Sequence, residues 1–214
     1  KADMVFTDPP YNALKSWKKN EAKSETRLNP NDWFKNDNMD WDEYYTFIKN
    51  SIVNLKSDSY YICCDFRIYP LLYNLLIELE YEIKHCIVWA KNVWGLGKRY
   101  RFQHEFVIYA IKNNPKFIGD NSQSDVWNID VDRSKEHKTP KPVELPVKAI
   151  NNTINKKELC VDMFLGSGTT LIASEKTKRK CYGMEIDPHY CDVIVKRWED
   201  YTGNKAERFE AANA

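Results

Sequence analysis

Short apolar segments of strand length alternate with segments of helical periodicity along this chain, and this alternation constrains the fold more than any other feature. The strand-like segments are residues 4–7, 60–64, 83–90, 106–111, 159–164 and 180–186, and the helix-like segments are 44–55, 69–79, 142–152, 169–176 and 188–201. Such alternation favours an α/β fold with a largely parallel sheet that is covered on both faces. Residues 83–90 and 106–111 are consecutive strands, so we expect them to form an antiparallel hairpin at one edge of the sheet.

The length of the chain fits one globular domain, and its composition allows a sizeable core. It has 214 residues, of which 43% are hydrophobic and 14% aromatic, and splitting it would leave two small cores. No apolar run approaches the roughly 20 residues needed to cross a bilayer, and no signal-peptide pattern is present. The chain starts at Lys1 without an initiator Met, directly before a strand-like segment, so an additional N-terminal segment is an open expectation.

Charge and cysteine content narrow the functional classes. A net charge of +1 carries no global signal for nucleic acid, so any such binding must depend on local basic patches. The six cysteines include no CxxC pair. This favours reduced, buried thiols of a cytosolic protein over a disulfide framework or a zinc site, and we predict no metal.

The first candidate ligand site is a glycine turn between a predicted strand and a predicted helix, in the segment Phe164-Leu165-Gly166-Ser167-Gly168-Thr169-Thr170. Glycine lets the backbone approach a ligand closely, and the helix N-terminus offers unpaired N–H groups, with Thr169 or Thr170 as the expected cap. Glu185 follows Gly168 by 17 residues. An acid at about this spacing can accept the ribose hydroxyls of an adenosine-containing cofactor.

Two common nucleotide motifs are missing from the sequence. Neither GxGxxG nor GxxxxGK[ST] occurs, so a standard dinucleotide fold and a P-loop are both disfavoured. A ligand that contains adenosine but no pyrophosphate fits the glycine turn best. A tight turn without any ligand remains the alternative interpretation.

The second candidate site is the turn Asp8-Pro9-Pro10-Tyr11, which directly follows the first predicted strand. Open α/β sheets bind their ligands at the carboxyl ends of strands. Two prolines stiffen the turn and remove two N–H donors, which leaves the Asp8 carboxylate and main-chain carbonyls as acceptors. Two such acceptors can hold both N–H groups of an exocyclic base amine, and the Tyr11 ring can stack on an extruded base. A rigid turn that happens to contain a tyrosine is the alternative.

Together, the two segments resemble the hallmark motifs of the DNA amino-methyltransferases that act on adenine N6 or cytosine N4. The order here, catalytic motif first and cofactor motif last, resembles the permuted β group of that family. Further agreement comes from HKTPKPVEL at 137–145, GMEID at 183–187, Trp89-Ala90-Lys91 and His104-Glu105-Phe106. The resemblance covers most of residues 2–12 and 59–202, and the paired motifs are highly specific.

This resemblance implies the seven-stranded, Rossmann-like sheet of the methyltransferases that use S-adenosyl-L-methionine (AdoMet), in circularly permuted order. It implies AdoMet as the methyl donor, with Glu185 on its ribose. The catalytic residues would be Asp8, Pro9, Pro10 and Tyr11, and the cofactor-binding residues Asp162, Phe164, Gly166, Ser167, Gly168, Thr169, Thr170, Glu185 and Lys141. Met163 stands where the family usually has proline, which should change the stiffness of this strand end.

The expected reaction is methyl transfer to adenine N6. The Asp form of the catalytic turn is typical of adenine N6 enzymes, whereas Ser in the first position is more typical of cytosine N4 enzymes, so cytosine N4 stays open. No Pro-Cys nucleophile for cytosine C5 chemistry is present. Amine methylation of RNA or protein, and an inactive binding subunit with a methyltransferase fold, are further alternatives.

Double-stranded DNA is the expected partner of a single catalytic domain spanning 1–214, with small target-recognition insertions around 12–40 and 91–135. Basic and aromatic residues alternate at 15–27 and 91–101, a composition that suits phosphate contact and stacking. The second patch contains Lys91, Lys98, Arg99 and Arg101 beside Trp94 and Tyr100; a solvated loop surface is the alternative. A homodimer and a restriction endonuclease partner remain open. The expected location is the cytoplasm, as for an intracellular protein of bacterial or phage type.

Overall fold

The computed structural model describes residues 1–12, 39–95, 99–131 and 141–209. Within these ranges the chain forms seven strands and five helices. The strands are β1 Met4–Thr7, β2 Ser59–Cys64, β3 Glu82–Ala90, β4 His104–Ile111, β5 Val126–Asn128, β6 Leu159–Asp162 and β7 Lys180–Gly183. The helices are α1 Trp41–Asn54, α2 Tyr69–Glu78, α3 Glu144–Thr153, α4 Thr169–Thr177 and α5 Pro188–Thr202.

The strands form one sheet in the order β5-β3-β4-β2-β1-β6-β7. Strands β2, β1, β6 and β7 are parallel, β4 is antiparallel to both β2 and β3, and β5 is parallel to β3. The predicted α/β fold, with a seven-stranded and mostly parallel sheet, is therefore confirmed. Among the described residues no helix has the length and apolar character that crossing a membrane requires.

Strand β5 was not predicted, since it lies within residues 113–140, for which the sequence indicates neither a strand nor a helix and which we therefore expect to be loop. It is only three residues long, too short to show alternation in the sequence. Trp127 explains why it joins the sheet: its indole is buried and stacks on Tyr61, with ring centroids 6.4 Å apart. The antiparallel hairpin of β3 and β4 consequently lies one strand inside the edge.

Each face of the sheet packs against different helices. Successive strand residues such as Val5 and Phe6 point to opposite faces of the sheet. On one face α1 and α2 contribute the buried apolar side chains of Tyr44, Ile48, Ile52, Leu72, Leu75 and Leu76. On the other face α3 and α4 contribute those of Leu145, Ala149, Ile150 and Ala173. Burying each large apolar side chain contributes about 1.5–3 kcal/mol, so the sheet is a firm support for the loops at its ends.

The two candidate ligand loops leave the sheet side by side. Strand β1 pairs with β6 in parallel, with Met4 opposite Cys160 and Val5 opposite Val161. Both strands therefore have their carboxyl ends at the same edge of the sheet, which we call the ligand edge. Strand β4 is antiparallel and so begins at this edge, which brings Glu105 there from the distant middle of the chain.

Candidate active site

The Asp8-Pro9-Pro10-Tyr11 turn leaves β1 and is held from the side by helix α1. The hydroxyl of buried Tyr44 donates a hydrogen bond of 2.7 Å to the Pro10 carbonyl oxygen. Buried Asn12 has a positive φ of 50° and donates from Nδ2 to the Met39 carbonyl at 3.0 Å. Among the described residues none donates to the Pro9 carbonyl. The Pro9 carbonyl is thus an acceptor that the turn itself does not use.

Four side chains around the catalytic turn form a buried network of charges with Tyr11. The Lys141 ammonium lies 2.8 Å from Asp8 Oδ2, 2.9 Å from Glu105 Oε2 and 2.9 Å from the Tyr11 hydroxyl. The Tyr11 hydroxyl lies 2.8 Å from Asp8 Oδ1 and 3.0 Å from Glu105 Oε2. Lys91 forms a second ion pair with Glu105. Two ammonium groups therefore balance two carboxylates.

The charged partners determine the protonation states in this network. Burial raises the pKa of Glu105, but the charges of Lys141 and Lys91 outweigh it and lower the pKa to about 2. Burial lowers the pKa of Lys141, yet the carboxylates of Asp8 and Glu105 raise it above its ordinary value. Burial together with Asp8 and Glu105 raises the pKa of Tyr11. At neutral pH Glu105 is a carboxylate, Lys141 an ammonium and Tyr11 a neutral phenol.

The side chain of Lys141, which was predicted to bind the cofactor, points at the catalytic turn. Its ammonium also lies 5.0 Å from the centroid of the Tyr11 ring. Only its main chain meets the glycine turn, where its carbonyl accepts a hydrogen bond of 3.2 Å from Thr169 Oγ1. Residues 137–140, just before it, lie outside the described residues. Lys141 thus connects the two candidate loops.

The glycine turn has the backbone conformation that its composition predicts. Gly166 and Gly168 have positive φ values of 52° and 84°, a region that favours glycine. Gly168 itself is the N-cap of α4, without a side-chain hydrogen bond, so the prediction that a threonine caps this helix is wrong. The hydroxyl of Thr170 donates to Asp162 Oδ2 at 2.6 Å, and the helix N–H groups are left without a side-chain cap.

Asp162 organises the end of β6. Its buried carboxylate accepts hydrogen bonds from Thr7 Oγ1 at 2.8 Å, Thr170 Oγ1 at 2.6 Å and the Phe164 N–H at 3.0 Å. Burial raises the pKa of Asp162 to about 6, although these hydrogen bonds oppose the shift. Asp162 connects β1, β6 and α4, so its side chain contributes to the shape of the cofactor loop from inside the protein.

Glu185 lies two residues beyond the end of β7 and faces the glycine turn. Its Oε2 accepts from the Gly166 N–H and its Oε1 from the Asp187 N–H, both at 2.8 Å. Each carboxylate oxygen has a further lone pair for a ligand hydroxyl. The predicted strands 159–164 and 180–186 end earlier, at Asp162 and Gly183, because the chain turns here to build these contacts.

Helices α5 and α1 fix the remaining residues of the glycine turn. Arg197 Nη1 donates to the Ser167 carbonyl at 3.0 Å. The Phe164 ring packs on Phe47, with centroids 5.5 Å apart. Gly183 packs so closely that a Cβ there would lie 2.5 Å from Leu165 Cδ2. These contacts were not predicted, because they join residues far apart in the sequence.

The predicted DNA-contact residues have different environments. Lys98, the patch at 15–27 and residues 132–135 lie outside the described residues. Lys91 is mostly buried, its ammonium pairing with Glu105 and lying 4.5 Å from the Trp89 ring centroid, so it belongs to the charge network. Arg99 and Arg101 are exposed, with the Arg101 guanidinium 5.9 Å from the Trp94 ring centroid.

The connection between β3 and β4 continues beyond the sheet as a hairpin arm, which we define as residues 91–95 and 99–103. The Gly95 N–H donates to the Phe102 carbonyl at 2.6 Å, and the Lys91 N–H donates to that of Gln103 at 2.8 Å. Trp94 and Tyr100 are 65% and 88% exposed on this arm.

A stacked aromatic pair beside the arm was missed from the sequence. Phe66 follows the end of β2 and lies on Phe102, with ring centroids 5.6 Å apart and planes at 19°. Both rings remain about half exposed, at 54% and 46%. Among the described residues no group of His, Cys, Asp or Glu is arranged to hold a metal ion.

The order of the strands and the positions of the two loops along the chain define the fold of an AdoMet-dependent methyltransferase in permuted order. Residues 2–196 match the model of the N6/N4 family described as DNA methylase. The chain therefore belongs to this DNA methyltransferase family, as the paired motifs predicted.

Individual relatives agree with the family. The chain is 28% identical to "Type II methyltransferase M2.MboI" of Moraxella bovis, over 94% of this chain and 81% of that protein. It superposes on the M1.HpyAVI–SAM complex with a TM-score of 0.67 and 24% identity, covering 92% and 89% of the two chains. PvuII DNA methyltransferase, described as cytosine-N4-specific, gives a TM-score of 0.70 at 17% identity, covering 95% of this chain and 84% of that one. The M1.HpyAVI structure is a complex with SAM, which is AdoMet.

Proposed function

We propose that this DNA methyltransferase transfers the methyl group of AdoMet to the exocyclic N6 amine of adenine in double-stranded DNA. The observation that carries this proposal is the parallel pairing of β1 and β6, which brings the Asp8 turn next to the glycine turn. A base amine held by one turn would thereby meet a donor held by the other. Positioning of this kind supplies a large part of the acceleration of group transfer.

The residues around the glycine turn fit AdoMet. Glu185 is held by two main-chain N–H groups, with lone pairs left for the two ribose hydroxyls. Gly166 and Gly168 carry no Cβ atom, so that the amino-acid part of AdoMet can approach the backbone at these two positions. When bound, AdoMet supplies a methyl group on a sulfonium, which is already a good electrophile. Asp162, which is hydrogen-bonded within the protein, holds this loop in shape.

The catalytic turn would hold the amine by its two N–H groups. The Asp8 carboxylate and the Pro9 carbonyl are the acceptors, and the amine lone pair is then directed out of the plane of the base. The Tyr11 hydroxyl is anchored by Asp8 and Glu105, so the orientation of its ring is fixed for stacking on the extruded base. Asp8 also takes the proton that the amine loses after methyl transfer.

The choice of adenine over cytosine rests on the resemblance of the Asp8 turn to those of adenine N6 enzymes. Cytosine N4 is the second candidate, and it is favoured by the likeness to the cytosine-N4-specific PvuII enzyme. Both amines have the same two N–H donors, so the acceptors of the turn serve either. Adenine and cytosine differ in ring size and in the positions of their remaining acceptors. Identification of the methylated product therefore distinguishes the two substrates.

The DNA would lie across the ligand edge, against the hairpin arm. Arg99 and Arg101 suit phosphate contact, and the stacked Phe66–Phe102 pair is placed to fill the gap that an extruded base leaves in the duplex. Similarity to a type II methyltransferase supports a role beside a restriction endonuclease. We regard residues 1–214 as one catalytic domain with its recognition segments around 12–40 and 91–135.

The decisive experiment identifies the methylated nucleoside. The protein is incubated with AdoMet and unmethylated duplex DNA, and the digested product is analysed by mass spectrometry. The expected product is N6-methyldeoxyadenosine. Detection of N4-methyldeoxycytidine instead would show that the target base is cytosine. Absence of any product from folded protein that binds AdoMet would favour a binding subunit, and preference for RNA would exclude DNA as substrate.

Asp8→Ala tests the catalytic turn in the same assay. Loss of at least about 100-fold in kcat is expected, because the amine loses its charged acceptor. AdoMet affinity, measured by calorimetry, should stay close to that of the wild type, since Glu185 and the glycine turn are untouched. Full activity of this variant would exclude the proposed mechanism. Asp3→Ala is the matched control at the other end of the same strand.

A further inference from the structure

Glu105 is a charged residue at the ligand edge to which the mechanism above gives no role beyond anchoring the Tyr11 hydroxyl. It lies at the start of β4, far in sequence from the two motifs, and its side chain is 20% exposed. It approaches Lys141 at 2.9 Å and accepts from the Tyr11 hydroxyl at 3.0 Å. Both of these partners also contact Asp8. Glu105 and Asp8 therefore share the same two donors.

Sharing of these donors affects how well Asp8 can accept from a base amine. Tyr11 occupies Asp8 Oδ1 and Lys141 occupies Oδ2. An ammonium with a single carboxylate partner in a buried site would hold that carboxylate tightly, because Coulomb attraction is strong where water is excluded. Glu105 offers Lys141 a second partner at nearly the same distance, 2.9 Å against 2.8 Å. The charge of Lys141 is therefore shared between the two carboxylates.

The charge of Glu105 is itself balanced from the other side. Lys91, at the end of β3, forms an ion pair with it, and the main chains of β3 and β4 pair directly here, with Trp89 opposite Glu105. The four charged groups sum to zero, so the site can remain buried without an uncompensated charge. Removal of one charge unbalances the other three.

We propose that Glu105 is a positioning residue for methyl transfer, which acts through Lys141 and Tyr11 to keep the Asp8 carboxylate oriented and available to the target amine. This inference rests on the proposed function of the Asp8 turn. Glu105 does not accept a proton during the reaction, since the two lysines hold it ionised with a pKa of about 2. Its contribution depends on its negative charge and not on its shape.

Charge and shape are separated by two substitutions. Glu105→Gln keeps the size and removes the charge, whereas Glu105→Asp keeps the charge and shortens the side chain. If the charge matters, kcat falls about 10-fold or more in Glu105→Gln and recovers largely in Glu105→Asp, with AdoMet affinity and KM for DNA changed less than about twofold. A purely structural residue would give the reverse order of the two variants, which would overturn the proposal.

A double-mutant cycle with Lys141→Met tests whether Glu105 acts through Lys141. Each single variant leaves the buried network with one unbalanced charge, but the double variant restores neutrality. The double variant should therefore be no slower than the slower single variant, a deviation from additivity of about 10-fold. Additive losses would exclude the coupling. Glu78→Gln, which breaks the surface pair with Lys49, is the control and should leave kcat unchanged.

Failure of this inference differs from failure of the proposed function. If the wild type methylates DNA but Glu105→Gln matches it in kcat, only the positioning role is wrong. A wild type that binds AdoMet without methylating DNA would overturn both proposals. Stability of the variants, followed by thermal unfolding, separates loss of turnover from loss of folding.

Discussion

Two buried carboxylates near the ligand edge have pKa values displaced in opposite directions. Glu105 has two ammonium partners, which lower its pKa to about 2. Asp162 accepts hydrogen bonds from two hydroxyls and one N–H, and burial raises its pKa to about 6. Neutral donors stabilise a carboxylate less than cations do. The two carboxylates therefore contribute to stability in opposite ways as pH changes.

Asp162→Asn should change the pH dependence of folding. The raised pKa means that folded protein binds this proton more tightly than the unfolded chain, so the contribution of Asp162 to stability falls as pH rises from about 4 to about 6. The free energy of unfolding of the variant minus that of the wild type should therefore be larger at pH 7 than at pH 4, by up to about 3 kcal/mol. Denaturant unfolding of both proteins across this range measures the difference, and parallel curves would contradict the assignment.

At the residue scale, the sequence predicted the positions whose chemistry is local. Asp8 and Tyr11 lie in one short motif, and Glu185 follows the glycine turn at a characteristic spacing. Glu105 was not predicted as a site residue, and the contacts of Lys141 with Asp8 and Glu105 were not predicted either. Their roles depend on β4 running antiparallel to β2 and on the side-chain direction of Lys141, which no local pattern encodes.

The glycine turn is the element whose conformation depends most on single residues. Gly168 has a φ of 84°, and Gly203, which ends α5, has a φ of 73°. A Cβ at Gly168 would lie 3.4 Å from Ile194, whereas one at Gly203 meets nothing within 4 Å. The two glycines thus share a backbone conformation, but only Gly168 lies in the cofactor loop.

Gly168→Ala and Gly203→Ala form a matched pair. Both should destabilise the protein by about 1–2 kcal/mol, because a left-handed conformation is unfavourable for alanine. Only Gly168→Ala should also weaken AdoMet binding, since relief of its strain shifts the N–H groups of the turn. Thermal unfolding and calorimetry measure the two effects. Equal AdoMet affinity in both variants would exclude Gly168 from the cofactor site.

The elements themselves were predicted well wherever apolar periodicity is long. Helix α1 was expected over 44–55 and spans Trp41–Asn54, beginning earlier because Asp40 and Glu43 form a capping box. Strand β5 was missed because a three-residue strand depends on its neighbours and not on its own pattern. Strands β6 and β7 were predicted too long, since the residues that leave the sheet for the ligand loops are as apolar as those within it.

At the scale of the whole molecule, the surface that we propose to face DNA is assembled from separate parts of the chain. Phe66 follows β2 and Phe102 precedes β4, and they meet only because these strands are antiparallel neighbours. Arg67, beside Phe66, is held by Asp65, with Nε 2.6 Å from Oδ2. This ion pair holds the residues next to Phe66 in place.

Phe66→Ala and Phe102→Ala test this surface. If the pair fills the gap left by an extruded base, kcat/KM on duplex DNA should fall about 10-fold, in line with the value of about 1–3 kcal/mol per stacked base. The loss should be smaller with a mismatch opposite the target, because less pairing must then be broken. Phe209→Ala, which removes a phenylalanine that is 95% exposed, is the control. Equal losses on both substrates would contradict the role in extrusion.

The sequence by itself determined the α/β class, the family, the two ligand loops and their order along the chain. Each of these depends on residues that are close in sequence, where strand periodicity, proline stiffness and glycine freedom act directly. Only the tertiary structure decided that Lys141 and Glu105 meet at Asp8, that Asp162 supports the cofactor loop from inside, and that Phe66 and Phe102 form one surface. These contacts depend on strand order and on packing across the sheet. They join residues that are far apart in sequence, and their separation along the chain does not predict their distance in space.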